Sequence, residues 1–490
     1  MNFVFFFPDE MSANTLACYG NRHVQTPNID ALAAEGTRFE HCIVQNPVCS
    51  PSRCSMMTGT YVHNRGHRTL WHLLQPDEPS LFRYLKNAGY DIGWFGKNDL
   101  YSDAYLDEVC SDIQEKRRNE EFTPSLPHKD VYTNQNAFTQ EEEAYYSFLF
   151  QPARPQGEEL PVDAPVGRGI DFIRSRKKGD RPFMLFLPIE LPHPPYTIME
   201  RYYDMYDPAV VGKDMMPPLE TKPSYEALIR KYRNLEKLPH AFFEKIYAVY
   251  LGMVSYVDYL LGLLNQALEE SGLMEDTTII LASDHGDWHG TRQLVEKWPN
   301  AMDDEIVRVP LIIKTPGGAK GHLVKEQAAL FDIMPTVLEL AGIEPEHTHF
   351  ARSLVPQLKG AAGDPERAVF CEGGYDLHEP HCFEGWSGRK NTPGANPANV
   401  YYPKQRMQQE HPEAVCRTTM IRTLRHKLVR RTSGENELYD LLADPQETNN
   451  LYGEPACKEL RLALEQQMLD WYIKTSDTVP YKEDFRFFGR

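Results

Sequence analysis

Apolar residues fall along this chain in short unbroken runs separated by amphipathic stretches. Residues 3–7 (FVFFF) are apolar at every position and stop at Pro8-Asp9-Glu10. A run without alternation predicts a strand buried on both faces of a parallel sheet. Residues 183–187 (FMLFL) repeat the pattern, and 90–95, the β-branched 277–282 and 309–313 also read as strands. Between them the period becomes helical. A helix opens after Thr26-Pro27, with Ile29, Leu32 and Ala33 on one face, and others are predicted over 80–88, 167–176, 242–268 and 332–340. The longest, 242–268, sets Ile246, Val249, Tyr250, Met253, Val257, Leu260, Leu261 and Leu264 on one broad face. Gly36, Gly89 and Gly342 stand where three of these helices should stop. The alternation predicts an α/β fold: a large, doubly wound, mostly parallel sheet.

Two stretches break the rhythm. Residues 102–165, with the acidic run 141–143, and residues 202–238 are polar or Pro-interrupted, and both are expected as surface excursions from the core. After about residue 359 the character changes. Residues 373–403 are rich in Gly, Pro, His and aromatics; 415–430 reads as short antiparallel strands, 437–451 as a turn-rich linker and 457–472 as a last helix. This predicts two domains, 1–364 and a smaller C-terminal α+β domain, 365–490, that contributes to the substrate pocket.

Composition narrows the function classes. With 41% hydrophobic and 25% charged residues, the chain has globular proportions. A formal net charge of -18 argues against a nucleic-acid partner. Any anionic substrate must be drawn in by local positive charge against the overall field. The nine cysteines form no regular framework and no paired CxxC motif, so neither a disulfide scaffold nor a zinc ribbon is expected. No basic segment, apolar core and cleavage site open the chain, and residues 2–7 are too short to anchor it. A cytoplasmic protein without membrane attachment is the expectation.

The stretch 46–68 (NPVCSPSRCSMMTGTYVHNRGHR) concentrates candidate chemistry. Pro47 and Pro51 bracket Cys49, which predicts an extended turn there. A helix is expected to start near Pro51, with Ser50 or Ser52 as its cap. Its N-terminal N–H groups would give Cys49 an anion-binding neighbourhood, with Arg53 about one turn further on. Four predicted strands also end in reactive side chains: Asp9-Glu10, Lys97, His193 and Asp284-His285. Singly, each is more often a cap, a surface group or a structural histidine. At the C-terminal ends of strands of one sheet they converge.

Cys49-Ser50-Pro51-Ser52-Arg53 followed by Met56-Met57-Thr58-Gly59 resembles the signature of the type I sulfatases, in the alkaline phosphatase superfamily. Other blocks are similar to that family too: Asp9-Glu10; 26–39 (TPNIDALAAEGTRF); Gly96-Lys97; His193 before a Pro-rich turn; Asp284-His285-Gly286; Lys297 ahead of Arg308-Val309-Pro310; 332–343; and 437–440. The resemblance implies that Cys49 is oxidised after translation by a formylglycine-generating enzyme and becomes the nucleophile of a sulfate-ester hydrolase. It implies catalytic roles for Cys49, Arg53, Lys97, His193 and Lys297. It also implies a divalent metal, Ca²⁺ or else Mg²⁺ or Mn²⁺, held by Asp9, Glu10, Cys49, Asp284 and His285. The substrate class it implies is a sulfate ester of a carbohydrate or of a small organic alcohol. Asp99, His378, His381 and Trp386 are candidates for contacting it. Two departures stand out: Glu10 replaces the family's second aspartate, and Asn98-Asp99 replaces its Trp-His pair. A phosphoester or phosphonate monoester hydrolase, and an inactive anion-binding relative, remain as alternative readings.

Overall fold

A computed structural model describes residues 1–110, 136–153, 163–384 and 396–481. The apolar runs form the middle of an eight-stranded sheet: β1 (Asn2–Asp9), β2 (Thr37–Ile43), β3 (Asp91–Trp94), β4 (Phe183–Pro192), β5 (Thr277–Ala282), β6 (Arg308–Val309), β7 (Leu311–Lys314) and β8 (His322–Ala329). The order is β3-β4-β1-β5-β7-β2-β6, with β8 also paired to β2. β3, β4, β1 and β5 are mutually parallel, and β8 is parallel to β2. β6 and β7 run against their partners. The predicted strand 309–313 is in fact these two pieces, because Pro310 has no N–H to carry the ladder across.

Side-chain alternation in β1 divides the interior in two. Phe3, Phe5 and Phe7 enter one core with Met184 and Phe186 of β4 and Ile280 of β5. Val4 and Phe6 enter the other with Leu185, Leu187, Ile279 and Leu281. Both faces are therefore covered, which is why these strands show no polar alternation. Fully burying each such side chain contributes roughly 1.5–3 kcal/mol. The second core is closed by the helix His240–Glu270, which carries Ile246, Val249, Tyr250, Met253 and Val257 into it. This helix is long and apolar enough to cross a membrane, but 78% of its most apolar window is buried inside the protein. It is a core helix.

Residues 202–238 are not a surface excursion. Tyr202, Tyr203, Tyr206 and Val211 are buried in the second core, and Tyr225 and Ile229 in the first. Tyrosine makes the difference: its ring adds apolar area while its hydroxyl finds a partner. Tyr203 Oη donates to the Phe150 carbonyl at 2.9 Å, and Tyr206 Oη lies 2.6 Å from Ser255 Oγ.

The C-terminal part builds a four-stranded antiparallel sheet, β12-β11-β10-β9, from β9 (Val369–Gly373), β10 (Thr418–Arg422), β11 (His426–Arg431) and β12 (Glu437–Asp440). Residues 437–440 thus form a strand rather than the start of a linker; Leu438 and Tyr439 are buried. The last helix, Lys458–Thr475, covers this sheet with Trp471, whose ring stacks on Phe370 at 4.4 Å. The apolar residues of this sheet join the same core as Phe3, Phe5 and Phe7.

Candidate active site

The ends of β1, β3, β4 and β5 meet at one edge of the large sheet. Asp9 closes β1, where the register with β4 shifts. Glu10 follows in a left-handed backbone conformation, φ 65°. A non-glycine residue there costs on the order of 1–3 kcal/mol. It is held by two hydrogen bonds: its N–H donates to Asp284 Oδ1 at 3.2 Å, and its carbonyl accepts from Tyr250 Oη at 2.6 Å. Asp284, His285 and Gly286 follow β5. A Cβ on Gly286 would lie 1.9 Å from the Glu305 carbonyl oxygen, so only glycine fits beside His285.

Cys49 opens the helix Cys49–Thr58, with Val48 as its extended N-cap residue and no side chain capping it. The helix begins two residues earlier than expected, since Pro51 is tolerated in a first turn whose N–H groups need no intrahelical acceptor. Neither serine caps: Ser52 Oγ donates to the Asp284 carbonyl at 2.6 Å, and Ser50 Oγ has no hydrogen-bond partner among the described residues. The uncapped N-terminus leaves Cys49 at the positive end of the helix dipole. Its Sγ lies 3.1 Å from His285 Nε2 and 3.7 Å from both Asp9 Oδ1 and Lys97 Nζ. One turn on, Arg53 is buried. Its Nε donates to Asp284 Oδ2 at 2.9 Å, and its guanidinium also reaches Asp9 at 3.4 Å. The rigid fork of Arg53 thus ties the ends of β1 and β5 to the cysteine helix.

Donor atoms of Asp9, Cys49, Asp284 and His285 all lie within 4.8 Å of one another, and all four residues are buried. Glu10 faces elsewhere. Its Oε2 accepts from Lys297 Nζ at 2.9 Å and lies 3.2 Å from His193 Nε2, while its buried Oε1 has no hydrogen-bond partner among the described residues. His193 Nδ1 sits 2.6 Å from the Pro194 carbonyl, so that nitrogen carries the proton and Nε2 accepts from Lys297 Nζ at 3.2 Å. Lys97 pairs with Asp9 and, at 3.1 Å, with Asp99. Asp99 therefore meets the lysine, and among the described residues no hydrogen bond or ion pair joins it to Cys49.

Burial dominates the electrostatics. It would raise the Asp9 carboxyl, but Lys97, then His193, Arg53 and His285, hold that group well below the usual carboxylate range. Burial pushes Glu10 up, with Lys297 opposing and Asp287 and Glu296 adding. It lowers His285 to about 4, keeping the imidazole neutral and able to ligate. It also lowers His193, helped by Lys297 and Lys97. Burial would discharge Lys97, but Asp9 and Asp99 reverse that and keep it charged. Burial, then Asp9, push the Cys49 thiol well above its ordinary value. A cysteine that attacks as thiolate shows the opposite shift.

Over residues 1–343 the chain matches the family described as Sulfatase. This chain belongs to the sulfatase family. Residues 377–474 match a second family, described as N-sulphoglucosamine sulphohydrolase, C-terminal. The sulfatase is 26% identical over 487 residues to the uncharacterized sulfatase YidJ of Escherichia coli, covering 97% of this chain and 88% of that protein. It is 24% identical over 556 residues to an N-acetylglucosamine-6-O-sulfatase of Bacteroides thetaiotaomicron, covering 99% and 90%. The solved phosphonate monoester hydrolase SpPMH of Silicibacter pomeroyi superposes with a TM-score of 0.72 at 23% identity, over 97% of this chain and 95% of that one, and so shares its fold. The protein is a sulfuric ester hydrolase of the alkaline phosphatase superfamily, and the sulfatase family generally uses formylglycine and a metal ion.

Other residues of the sulfatase take positions that the sequence did not signal. Glu296, next to Lys297, accepts from Lys404 Nζ at 2.7 Å and lies 3.4 Å from Arg233 and 3.6 Å from Lys297. Lys404 belongs to the helix Tyr402–Glu410, so the C-terminal part of the chain helps position Lys297. The adjacency of Glu296 and Lys297 was visible in the sequence; the arrival of Lys404 and Arg233 from remote segments was not. His378 and His381 lie exposed on the loop after β9. Among the described residues, no hydrogen bond or ion pair joins them to the Cys49 group. Trp386 lies outside the described residues.

Proposed function

We propose that this sulfatase removes sulfate from a sulfated saccharide, with formylglycine made from Cys49 by a separate maturation enzyme and one Ca²⁺ beside it. The observation that carries the reading is the buried meeting of Cys49 with Asp9, Asp284 and His285 at a helix N-terminus, around a thiol that burial keeps protonated. Conversion would replace the one sulfur donor by oxygen. The set then comprises two carboxylates, one imidazole and the oxygens of residue 49, with Glu10 the remaining buried acid alongside. Such hard donors suit Ca²⁺ better than zinc, and Glu10 Oε1 is a buried oxygen with no hydrogen-bond partner among the described residues. Bound there, a divalent cation supplies polarisation of the sulfate oxygens. Formylglycine, as its hydrate, supplies a hydroxyl nucleophile that the encoded thiol does not.

The chain's own residues do the rest. Arg53 fixes Asp9 and Asp284. Arg53, Lys97 and Lys297 face Asp9, Glu10 and Asp284, with Asp99 also on Lys97 and Glu296 beside Lys297; a divalent ion bound there would add the positive charge needed to draw an anionic ester into an acidic protein. Lys97 and Lys297 stabilise charge on the transferring group. The saccharide assignment is supported by the N-acetylglucosamine-6-O-sulfatase relative and by the C-terminal family match. It is tested with a panel of sulfated sugars, aryl sulfates and phosphonate monoesters, using protein whose Cys49 conversion is known. Turnover of sulfated sugars is expected; turnover of phosphonate monoesters alone would overturn it.

His193 is the proposed acid for the leaving alcohol. Burial, with Lys297 and Lys97 adding, keeps it neutral in the free site, and the negative charge of a bound ester favours its protonation. General acid assistance is worth roughly 10²–10⁴-fold where the leaving group needs it. His193→Ala should therefore slow sugar sulfates far more than nitrophenyl sulfate. An equal loss on both would assign His193 to binding and move the acid role to Lys297.

A further inference from the structure

A second group of ligand-type side chains lies outside the Cys49 site. His72, His381 and Cys382 each bring one donor atom to within 4.8 Å of the other two. Cys382 Sγ lies 3.7 Å from His381 Nε2, and the rings of His72 and His381 are 5.7 Å apart and close to perpendicular. Tetrahedral zinc binds imidazole nitrogen at about 2.1 Å and thiolate sulfur at about 2.3 Å, which puts neighbouring ligands roughly 3.5 Å apart. The Cys382–His381 separation is already close to that of a coordinated pair. Thr69 Oγ1, 3.0 Å from His72 Nδ1, also accepts the Trp71 N–H at 3.0 Å. It orients the imidazole as outer hydrogen bonds orient metal-binding histidines.

The donors differ in kind from those of the first site. Two imidazoles and a thiolate form a borderline-soft set that selects zinc over Ca²⁺ or Mg²⁺. Cys382 is buried while His381 is exposed, so an ion has both an anchor and a path from solvent. The loop that carries His381 and Cys382 leaves β9 beside the active site. The Glu372 carbonyl accepts from Asn46 Nδ2 at 2.8 Å, and the Gly374 N–H donates to the Pro299 carbonyl at 2.9 Å.

We propose that His72, His381 and Cys382 form a second metal site, for Zn²⁺ with water in the fourth position, which pins the loop after β9 to the segment 69–72. Cobalt is the probe, because a Co²⁺–thiolate bond gives a charge-transfer band. The full-length Cys49→Ala protein, kept in saturating Ca²⁺, offers no thiol at the first site. Titration should give the band at one equivalent of Co²⁺, and Zn²⁺ should displace it. Adding Cys382→Ser should abolish the band, and adding His72→Ala should weaken Co²⁺ binding by at least about tenfold. Absence of the band in Cys49→Ala, or its survival in Cys382→Ser, would overturn the site. If thermal melts show that the Cys382→Ser protein does not fold, the partly exposed His72 decides: unchanged Co²⁺ affinity in His72→Ala would overturn it equally.

Discussion

Cys49→Ala protein is expected to fold and to hydrolyse no sulfate ester above background. The side chain is small, and the helix it opens keeps its Val48 N-cap residue, its Ser52–Asp284 bond and the Arg53 ion pairs. Its thermal midpoint should stay near that of the parent. Activity should fall by at least ~10⁴-fold, the scale at which hydrolases lose a covalent nucleophile. The same reasoning makes two further outcomes specific. Peptide mass spectrometry on an active preparation should find an aldehyde at residue 49, and activity across preparations should track the converted fraction. Alkylating reagents should leave an active preparation active, because the functional form has no thiol there and the unconverted thiol is buried and protonated. Full turnover by protein with an unmodified cysteine throughout would sink the formylglycine reading. Weak activity from a foreign host would not, since conversion depends on another enzyme.

The parts of this fold that were legible in the sequence are those whose environment is uniform. The central strands β1, β4 and β5 are buried on both faces along almost their whole length, so they read as unbroken apolar runs. β2 and β8 alternate imperfectly between buried and half-exposed positions, and no run announces them. Residues 202–238 were misread because a buried tyrosine with a satisfied hydroxyl looks polar in sequence. At the site, Asp9, Lys97, Asp284 and His285 were visible as strand ends, and Cys49 with Arg53 as a motif. The side-chain direction of Glu10 was not visible. It depends on a left-handed backbone and on Lys297, 287 positions away in the chain. The clamp of Arg233 and Lys404 on Glu296 is likewise a product of tertiary packing, and no local pattern encodes it.

Asp284→Ala should remove both metal binding and turnover, and it should also cost stability. One Asp284 oxygen accepts the Glu10 and His285 N–H groups at 3.2 and 3.0 Å; the other meets Arg53 Nε at 2.9 Å. Truncation strands a buried guanidinium and two buried N–H groups at once. Breaking a buried ion pair from one side costs roughly 3–5 kcal/mol. Activity loss in this variant alone would therefore be ambiguous between misfolding and a missing ligand. Asp284→Asn separates the two. An asparagine oxygen can still accept from Glu10 and His285, so the strained Glu10 backbone is kept, while the negative charge is gone. Asp284→Asn is expected to melt closer to the parent than Asp284→Ala, to hold much less than one equivalent of Ca²⁺ by metal analysis, and to turn over at least ~10²-fold more slowly, given that even outer-shell partners of a metal cost 10–100-fold. Chelation of the parent should reproduce that loss, and added Ca²⁺ should restore activity to the parent but not to the variant. A parent that stays fully active after exhaustive chelation, with metal analysis showing no bound ion, would refute the metal assignment. Asp9, Asp284 and His285 would then be a scaffold for residue 49, and Arg53, Lys97 and Lys297 would carry the whole burden of charge at the sulfate.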